Sequence, residues 1–238
     1  CLMEGDNHEA VGLPGHLKLG RLIVLWDDNR ITIDGSTDLS RTEDVMARHA
    51  ACGWHLVECD GLDSDDVSRA IDEAKGDPHP TLIRCKTIIG FGAPNKQGTE
   101  ATHGAALGKA EVEAARAELG LEPKEFAVPD DILGFWREVG RKGASVHADW
   151  KRRLDANSRK NEFVEQLEGK PDESWLKPYV NKLLAEPPTV ATRKASEMTL
   201  EAINAAVPWT IGGSADLTGS NNTKTKALQP LTAENYGG

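Results

Sequence analysis

The feature that most constrains the fold is an alternation of apolar, strand-like segments with helix-like segments in the first part of the chain. Strands are predicted at residues 21–27, 54–59 and 81–89, with helices at 42–52 and 64–74 between them. The strand segments are largely unbroken apolar or β-branched runs, which is typical of strands buried on both faces. Strands that alternate with helices at this spacing predict a parallel α/β sheet.

Capping signals predict where the flanking elements begin and end. Thr42 is predicted to be the N-cap of the first helix between the strands, and Ser64 the N-cap of the second. Residues 8–20 carry a weaker helical pattern, because Gly and Pro interrupt it. Residues 31–33 are predicted to form a short extended piece before an Asp-Gly turn.

A glycine-rich loop at residues 90–108 follows the last predicted strand. A loop of this length inside a compact domain is usually functional or disordered. It contains His103, and a loop histidine can move a proton or donate to a phosphate. Most histidines in proteins are surface or packing residues. The place of His103 in a glycine-rich loop favours a catalytic role but does not establish one. A helix is predicted to resume at 109–119.

The rest of the chain has a different character. Residues 121–188 are charged, with helices predicted at 130–140, 145–168 and 173–186. The pair Pro187-Pro188 is the best candidate for a domain boundary.

A further unit is predicted to begin at residue 189. It would contain a helix at 192–206 and a strand at 209–211, which cannot bury a core alone. The predicted division is therefore 1–120, 121–188 and 189–238, with both ends of the chain interpreted as cut from a longer protein.

Charge and composition exclude some classes of function. The net charge of −10 and a pI near 5.2 make nucleic acid an unfavourable partner. No apolar run approaches the length of a membrane span, and no signal peptide is recognisable. The four cysteines lack metal-ligand spacing, so they are interpreted as reduced, mostly buried thiols of a cytoplasmic protein.

Two polar groups could carry chemistry. Asp27-Asp28-Asn29 follows a predicted buried strand, where ligands bind in open α/β sheets, and the neutral amide oxygen of Asn29 suits a hard cation beside a diphosphate. Arg193 near the start of a helix, with Ser220 further on, could bind a phosphate. A solvated turn and a surface arginine are the commoner explanations of such patterns. These residues alone indicate only an α/β enzyme that could bind phosphate.

Blocks spread over nearly the whole chain resemble transketolases in content and in order. The opening Cys-Leu-Met-Glu-Gly resembles the segment directly after Gly-Asp-Gly in the family's thiamine-diphosphate motif, which ends one βαβ step later at an asparagine. The resembling blocks lie at residues 1–5, 8–10, 25–29, 31–35, 85–92, 94–96, 103–105, 192–196 and 212–217, with Ser220.

The resemblance implies a partial thiamine-diphosphate-binding α/β fold, a helical linker and the start of a second, pyrimidine-binding α/β domain. Asn29 would ligate Mg²⁺ or Ca²⁺ through its side chain and also touch the cofactor diphosphate. Ile31 would ligate the same metal through its carbonyl. His103 would contact the cofactor and the sugar and assist proton transfer, and Lys86 is expected near the cofactor.

The remaining implied roles concern the substrate and a partner subunit. Arg193 and Ser220 would bind the phosphate of the sugar, which His103 also touches. Asp216 would approach the cofactor of the partner subunit in a homodimer, and Glu4 would lie at the interface between the two cofactors. The implied reaction moves a two-carbon ketol unit from xylulose 5-phosphate to ribose 5-phosphate or erythrose 4-phosphate, in the pentose phosphate pathway.

Departures from the family pattern limit this interpretation. Asp6-Asn7 stands where relatives often have an apolar residue and serine, which is interpreted as loop variation. The metal-ligating aspartate of Gly-Asp-Gly and the glutamate that activates the aminopyrimidine are expected outside the chain, so the chain alone is expected to have little or no activity. Two alternatives remain open: a related enzyme such as dihydroxyacetone synthase, and a non-catalytic interaction module.

Overall fold

A computed structural model describes residues 2–236 of the chain. The described residues divide into two compact units, 2–127 with 232–236 and 128–231. The predicted division at residues 120 and 188 concerns domains of a longer protein and stays a prediction.

The strands of the first unit build a small parallel sheet and a hairpin, as the alternation of strands and helices predicts. Its described strands are β1 (Ile23–Asp28), β2 (Ile31–Thr32), β3 (Gly35–Ser36), β4 (His55–Asp60) and β5 (Thr81–Lys86). The sheet has the order β1-β5-β4 and all its pairs are parallel. Strands β2 and β3 form an antiparallel hairpin directly after β1. The predicted strands are confirmed, with ends shifted by up to three residues. The prediction that residues 21–27 form a buried strand is wrong, because β1 lies at the edge of the described sheet and none of its residues is buried.

Helices cover both faces of this sheet. The first unit contains α1 (Gly5–Ala10), α2 (Gly12–His16), α3 (Val45–Ala51), α4 (Ser64–Gly76) and α5 (Lys109–Glu118) among its described residues. Helix α4 packs on the face that carries Val57 and Ile83, whereas Val45 of α3 packs with Leu82 on the opposite face. Because successive side chains of a strand point to opposite faces, the unbroken apolar runs fill both layers.

Aspartates, rather than the predicted hydroxyl residues, cap the two crossover helices. The side chain of Asp44 accepts a hydrogen bond from the Ala47 amide at 3.0 Å, so the prediction of Thr42 is wrong. Asp63 accepts from the amides of Asp65 and Asp66 at 2.9 and 3.3 Å, and Ser64 is instead the first helical residue. A carboxylate both caps the free amides and complements the positive end of the helix dipole.

The predicted helix at 8–20 is two short helices, α1 and α2, and Lys18 beyond them has a positive φ of 52°. Proline and glycine in this segment interrupt the helical hydrogen bonds, which accounts for the division.

The described cysteines are free thiols, as predicted, and Cys1 lies outside the described residues. Cys59 and Cys85 are buried opposite each other on β4 and β5, with their sulfur atoms 3.6 Å apart. Burial and the hydrogen bond from Cys59 raise the pKa of Cys85 to about 12. Such a thiol is protonated at neutral pH and acts as a packing residue.

The second unit is helical. Its described helices are α6 (Asp130–Asp155), α7 (Lys160–Glu168), α8 (Leu176–Ala185), α9 (Thr192–Ala206) and α10 (Thr218–Asn221). The predicted bounds of α9 are confirmed. Buried side chains are scarce, since within residues 128–231 only Val207 and Thr225 are buried. None of the helices in residues 2–236 is long and apolar enough to span a bilayer.

Two predictions for this unit are wrong. Residues 130–155 form one helix, although the sequence predicts a break near Gly140, and the break comes instead at residues 156–159. The predicted strand at 209–211 is not formed. A strand needs a neighbour for its backbone hydrogen bonds, and residues 128–231 provide none.

Ile83 and Leu25 provide a matched pair for testing how much burial at the centre of the sheet contributes to its stability. They are direct neighbours on β5 and β1, but Ile83 is fully buried and Leu25 is 51% exposed. We expect Ile83→Ala to lower the free energy of unfolding by about 2–5 kcal/mol, because it leaves a cavity. Leu25→Ala should cost no more than about 1 kcal/mol. Urea unfolding of the two variants measures the difference, and equal losses would contradict this description of the core.

Candidate cofactor site at the carboxyl edge of the sheet

The carboxyl ends of the three parallel strands meet at one edge and present polar side chains. Asp28, Lys86 and Asp60 are level with one another at the ends of β1, β5 and β4. In open parallel sheets, ligands bind beyond this edge. The edge is therefore the candidate site, and Asn29 and Lys86 lie on it.

The turn after β1 holds the side chain of Asn29 in a defined position. Its amide oxygen accepts a hydrogen bond from the Ile31 amide at 2.9 Å, and its amide nitrogen donates to Asp27 at 3.2 Å. Arg30 takes a positive φ of 60°, which lets the chain turn back into β2. The hydroxyl of Thr87 donates to Asp27, so this turn is attached to the residue that follows β5.

An arginine that sequence reasoning missed holds the end of β1. Arg84 of β5 contacts Asp28 through two guanidinium nitrogens at 2.6 Å, and the Asp28 side chain is only 9% exposed. The same guanidinium lies 5.4 Å from the ring centroid of Trp26. Nothing in the local sequence signals this contact, since residues 28 and 84 are brought together only by the pairing of β1 with β5.

Lys86 is directed toward the other side of β5. Its ammonium group contacts Glu58 of β4 at 2.7 Å, and that hydrogen bond lowers the pKa of Glu58. Both residues line an open cavity of about 540 Å³ together with residues at the ends of β4 and β5: Cys59, Asp60, Leu62, Asp66, Thr87 and Ile88. The structure brings Lys86 and Asn29 to the same edge, but no hydrogen bond joins them in the described chain.

The glycine-rich loop is held in place by hydrogen bonds within the loop and to helix α5. Glu111 of α5 is buried and accepts from the amide and the side chain of Asn95, at 2.8 and 2.9 Å. Lys96 donates to the carbonyl of Leu107 at 2.7 Å. Gly90 has a φ of 65°, and an added Cβ there would lie 2.5 Å from Thr102, so glycine is required.

His103 follows a short 3-10 helix in this loop, Glu100–Thr102, and its side chain is exposed. Within residues 2–236 the imidazole makes no hydrogen bond, so it is available to a ligand. Glu4, which is predicted to lie at a subunit interface, is the exposed N-cap residue of α1, and its side chain makes no capping hydrogen bond.

The predicted phosphate-binding residues lie in the second unit. Arg193 is the second residue of α9 and Ser220 belongs to α10, and both side chains are exposed. No hydrogen bond joins the two within the described residues. Asp216 has a positive φ of 59° in the turn before α10.

Potential metal ligands are few at these positions. In the described residues, no group of three or more His, Cys, Asp or Glu side chains is arranged to hold a metal ion.

A parallel α/β sheet with this polar carboxyl edge defines a nucleotide- or cofactor-binding class of fold. Comparison with protein families makes the class specific: the family described as transketolase, thiamine diphosphate binding domain, matches residues 1–170. The chain belongs to the transketolase family, as the sequence blocks predict.

Individual relatives agree with this assignment. The chain is 49% identical over 242 residues to a transketolase of Cereibacter sphaeroides, covering 100% of this chain and 36% of that protein. It is 45% identical over 242 residues to one of Sinorhizobium medicae, covering 100% and 35%. The chain thus spans about a third of the length of these relatives.

Solved structures give the same result for the fold. A transketolase of Pichia stipitis in complex with sedoheptulose 7-phosphate superposes with a TM-score of 0.85 at 41% identity, covering 98% of this chain and 35% of that one. A transketolase from Leishmania mexicana gives a TM-score of 0.82 at 38% identity, covering 94% and 34%.

The contact between Glu111 and Asn95 predicts a pH-dependent loop. Hydrogen bonds from the Asn95 side chain and amide lower the pKa of Glu111 below its ordinary value of 4.5. A lowered pKa in the folded state stabilises the fold above the ordinary value, and the contribution is lost as pH falls through the lowered one. We expect the protection factors of the amides in residues 90–108, which correct for the intrinsic exchange rate, to fall below pH 4.5 before those of the β-sheet do.

Glu111→Gln should cause the same loss of protection at neutral pH, because the nitrogen of the Gln amide group would face a donor of Asn95. Glu113→Gln on the same helix is the control, since Glu113 is exposed and lies 4.0 Å from Lys109. Unchanged exchange in Glu111→Gln would contradict the role of this carboxylate.

Proposed function

We propose that the protein containing this chain is a transketolase that moves a two-carbon ketol unit between sugar phosphates. The donor would be xylulose 5-phosphate and the acceptor ribose 5-phosphate or erythrose 4-phosphate. The observation that carries the proposal is the Asn29 turn at the carboxyl end of β1, in a chain that matches transketolases along its whole length. A homodimer in the cytoplasm, acting in the pentose phosphate pathway, is part of the same proposal.

The residues of the turn suit a metal ion bound to thiamine diphosphate. The Asn29 oxygen has two lone pairs and uses only one to accept the hydrogen bond from the Ile31 amide, so it can also ligate Mg²⁺ or Ca²⁺. The carbonyl of Ile31 would be a second ligand. Neutral oxygens are appropriate because the diphosphate supplies negative charge, and the aspartate expected before Cys1 would add to it. Asn29 would also contact the diphosphate itself.

Thiamine diphosphate supplies the carbon nucleophile that cleaves the bond beside a ketose carbonyl. His103, exposed on a loop held by Glu111, would donate to the sugar and move a proton, and it would also touch the cofactor. Lys86 would bind near the cofactor from the β4 side of the edge, where it pairs with Glu58.

Arg193 and Ser220 would bind the substrate phosphate. Arg193 makes no ion pair in the described residues, so its five N–H donors are free for a phosphate. The structure of the Pichia stipitis transketolase with sedoheptulose 7-phosphate supports a sugar phosphate as ligand. Asp216 would approach the cofactor of a partner subunit, and Glu4 would lie between the two cofactors.

The central test uses the complete gene product that contains this chain. It should transfer a two-carbon unit from xylulose 5-phosphate to ribose 5-phosphate only with thiamine diphosphate and a divalent cation. We expect Asn29→Ala to weaken metal-dependent cofactor binding, measured by calorimetry, by roughly tenfold or more.

Asn157→Ala is the matched control for that experiment. Its side-chain oxygen accepts from the Arg159 amide at 2.8 Å, which is the same turn geometry as at Asn29. Cofactor binding should be unchanged in this control. If the two variants bind the cofactor equally well, the assignment of Asn29 is wrong.

Arg193→Ala should raise the Michaelis constant for phosphorylated sugars and leave turnover nearly unchanged, because it removes binding common to ground state and transition state. Lys194→Ala is the control, since Lys194 already pairs with Glu197 at 2.9 Å. Steady-state kinetics with a phosphorylated and an unphosphorylated ketose measure the effect. Equal constants for wild type and Arg193→Ala would remove Arg193 from the phosphate site.

A further inference from the structure

The side chain of Asn29 makes two hydrogen bonds that use opposite ends of its amide group. The amide oxygen accepts from the backbone amide of Ile31 at 2.9 Å, and the amide nitrogen donates to a carboxylate oxygen of Asp27 at 3.2 Å. A backbone N–H is only a donor and an ionised carboxylate is only an acceptor, so neither contact tolerates a reversed amide. Together they fix which of the two amide atoms faces which neighbour.

The bond to Asp27 is not needed to form the turn. Residues 157–159 in the second unit make the same turn, in which the oxygen of Asn157 accepts from the amide of Arg159 at 2.8 Å. Within residues 2–236 the amide nitrogen of Asn157 donates no hydrogen bond. The bond from Asn29 to Asp27 is therefore an addition to the turn, and the geometry of the turn does not explain it.

Asp27 is itself held by the end of the neighbouring strand. Its second carboxylate oxygen accepts from the hydroxyl of Thr87, the first residue after β5. The backbone amide of Thr87 also donates to the carbonyl of Asp28 at 3.5 Å, which keeps the two chain segments together. Because each carboxylate oxygen has its own donor, rotation of the Asp27 side chain would break a hydrogen bond. Asp27 thus presents a fixed acceptor to Asn29.

The orientation of the amide decides whether Asn29 can bind a cation. The oxygen has lone pairs for a metal ion, whereas the NH₂ group carries partial positive charge and would repel one. The oxygen and the nitrogen are nearly equal in size, so packing hardly distinguishes the two orientations and hydrogen bonds must do so. A bond to an ionised acceptor is stronger than a bond between neutral groups. Without Asp27, only the Ile31 amide would oppose the reversed orientation.

We propose that Asp27 is a positioning residue for the metal site. Its carboxylate, held by Thr87, keeps the amide nitrogen of Asn29 turned away from the cation and leaves the amide oxygen free for it. The inference rests on the proposed function, in which Asn29 is a metal ligand. This role also accounts for a carboxylate beside a diphosphate site, where its charge alone would be unfavourable.

A carboxylate at position 29 distinguishes this role from others, because its two oxygens are equivalent and need no orientation. In the complete gene product, Asp27→Ala should weaken Mg²⁺-dependent binding of thiamine diphosphate about tenfold. In an Asn29→Asp background, the same change at residue 27 should cause no loss. Calorimetry of the single and double variants gives the two effects, and their difference measures the coupling between residues 27 and 29.

Two further positions provide matched controls. Asp34→Ala removes an exposed carboxylate that accepts no hydrogen bond within the described part of the chain, so binding should be unchanged. Thr87→Val removes the hydroxyl that holds Asp27 without altering any charge, and it should reproduce part of the loss. Thr87→Ser keeps the hydroxyl and should bind like the wild type. The effect of Thr87→Val should also disappear in the Asn29→Asp background.

Equal losses from Asp27→Ala in both backgrounds would overturn the proposal, because Asp27 would then act through its charge or through folding. Unchanged binding in Asp27→Ala, when Asn29→Ala weakens it, would also overturn the proposal but leave the proposed function intact. Unchanged binding in Asn29→Ala would instead remove the metal ligand, and both proposals would fail together.

Discussion

Strand β5 is the element on which the first unit depends, because it is the only described strand that pairs on both of its edges. Leu82 and Ile83 are fully buried on opposite faces of β5, so both helical layers pack against it. Burial of a large aliphatic side chain contributes about 1.5–3 kcal/mol, more than a typical hydrogen bond. The strand therefore holds the hydrophobic core and aligns the two neighbouring strand ends at one level.

Strand β5 also positions the polar side chains at the carboxyl edge of the sheet. Arg84 and Thr87, from β5 and the residue after it, contact Asp28 and Asp27 at the end of β1. A nearly buried aspartate is costly unless it is paired, so the Arg84 contact is needed for Asp28 to occupy this place. Through these contacts the core positions Asn29, although Asn29 itself makes only local hydrogen bonds.

Different interactions stabilise the second unit. Its helices carry exposed ion pairs between residues three or four apart, such as Arg141 with Glu138 and Arg159 with Glu162. Such solvent-exposed pairs contribute little to stability, because water and salt screen them. With few buried side chains, the helices retain apolar faces that need a partner, whether a second copy or another part of a longer protein.

Sequence reasoning succeeded where a signal was local or strongly periodic. The apolar runs predict β1, β4 and β5 as strands, although β1 has no buried residue, and the α9 pattern predicts the bounds of that helix. It failed where the structure is decided by competition between neighbouring residues with opposite preferences, or by contacts between residues far apart in the sequence. Gly140 and Gly143 each cost a helix about 1 kcal/mol, which a helix with good formers on either side tolerates, so α6 continues through both.

The same distinction applies to the candidate site. The amide oxygen of Asn29 is suggested by its place after a predicted strand, because parallel strands end at a common edge. The contact of Arg84 with Asp28 depends on strand order and register, which no local pattern reveals. The roles of His103, Arg193 and Ser220 remain predictions from family resemblance, since the structure places them on exposed surfaces without partners that would define a role.

Pairing of the edge carboxylates explains how a chain with a net charge of −10 can offer a site to an anionic cofactor. Asp27 accepts from Thr87 and Asn29, and Asp28 is matched by the guanidinium of Arg84. The group left at the tip of the turn is the neutral oxygen of Asn29. The Arg84 guanidinium neutralises Asp28 at contact distance, which reduces repulsion of an anion, whereas Asp27 is held by neutral donors and keeps its charge. Arg84, from the neighbouring strand, therefore lowers the negative charge at the end of β1 by offsetting Asp28, which makes this edge less unfavourable for a diphosphate than the net charge alone suggests.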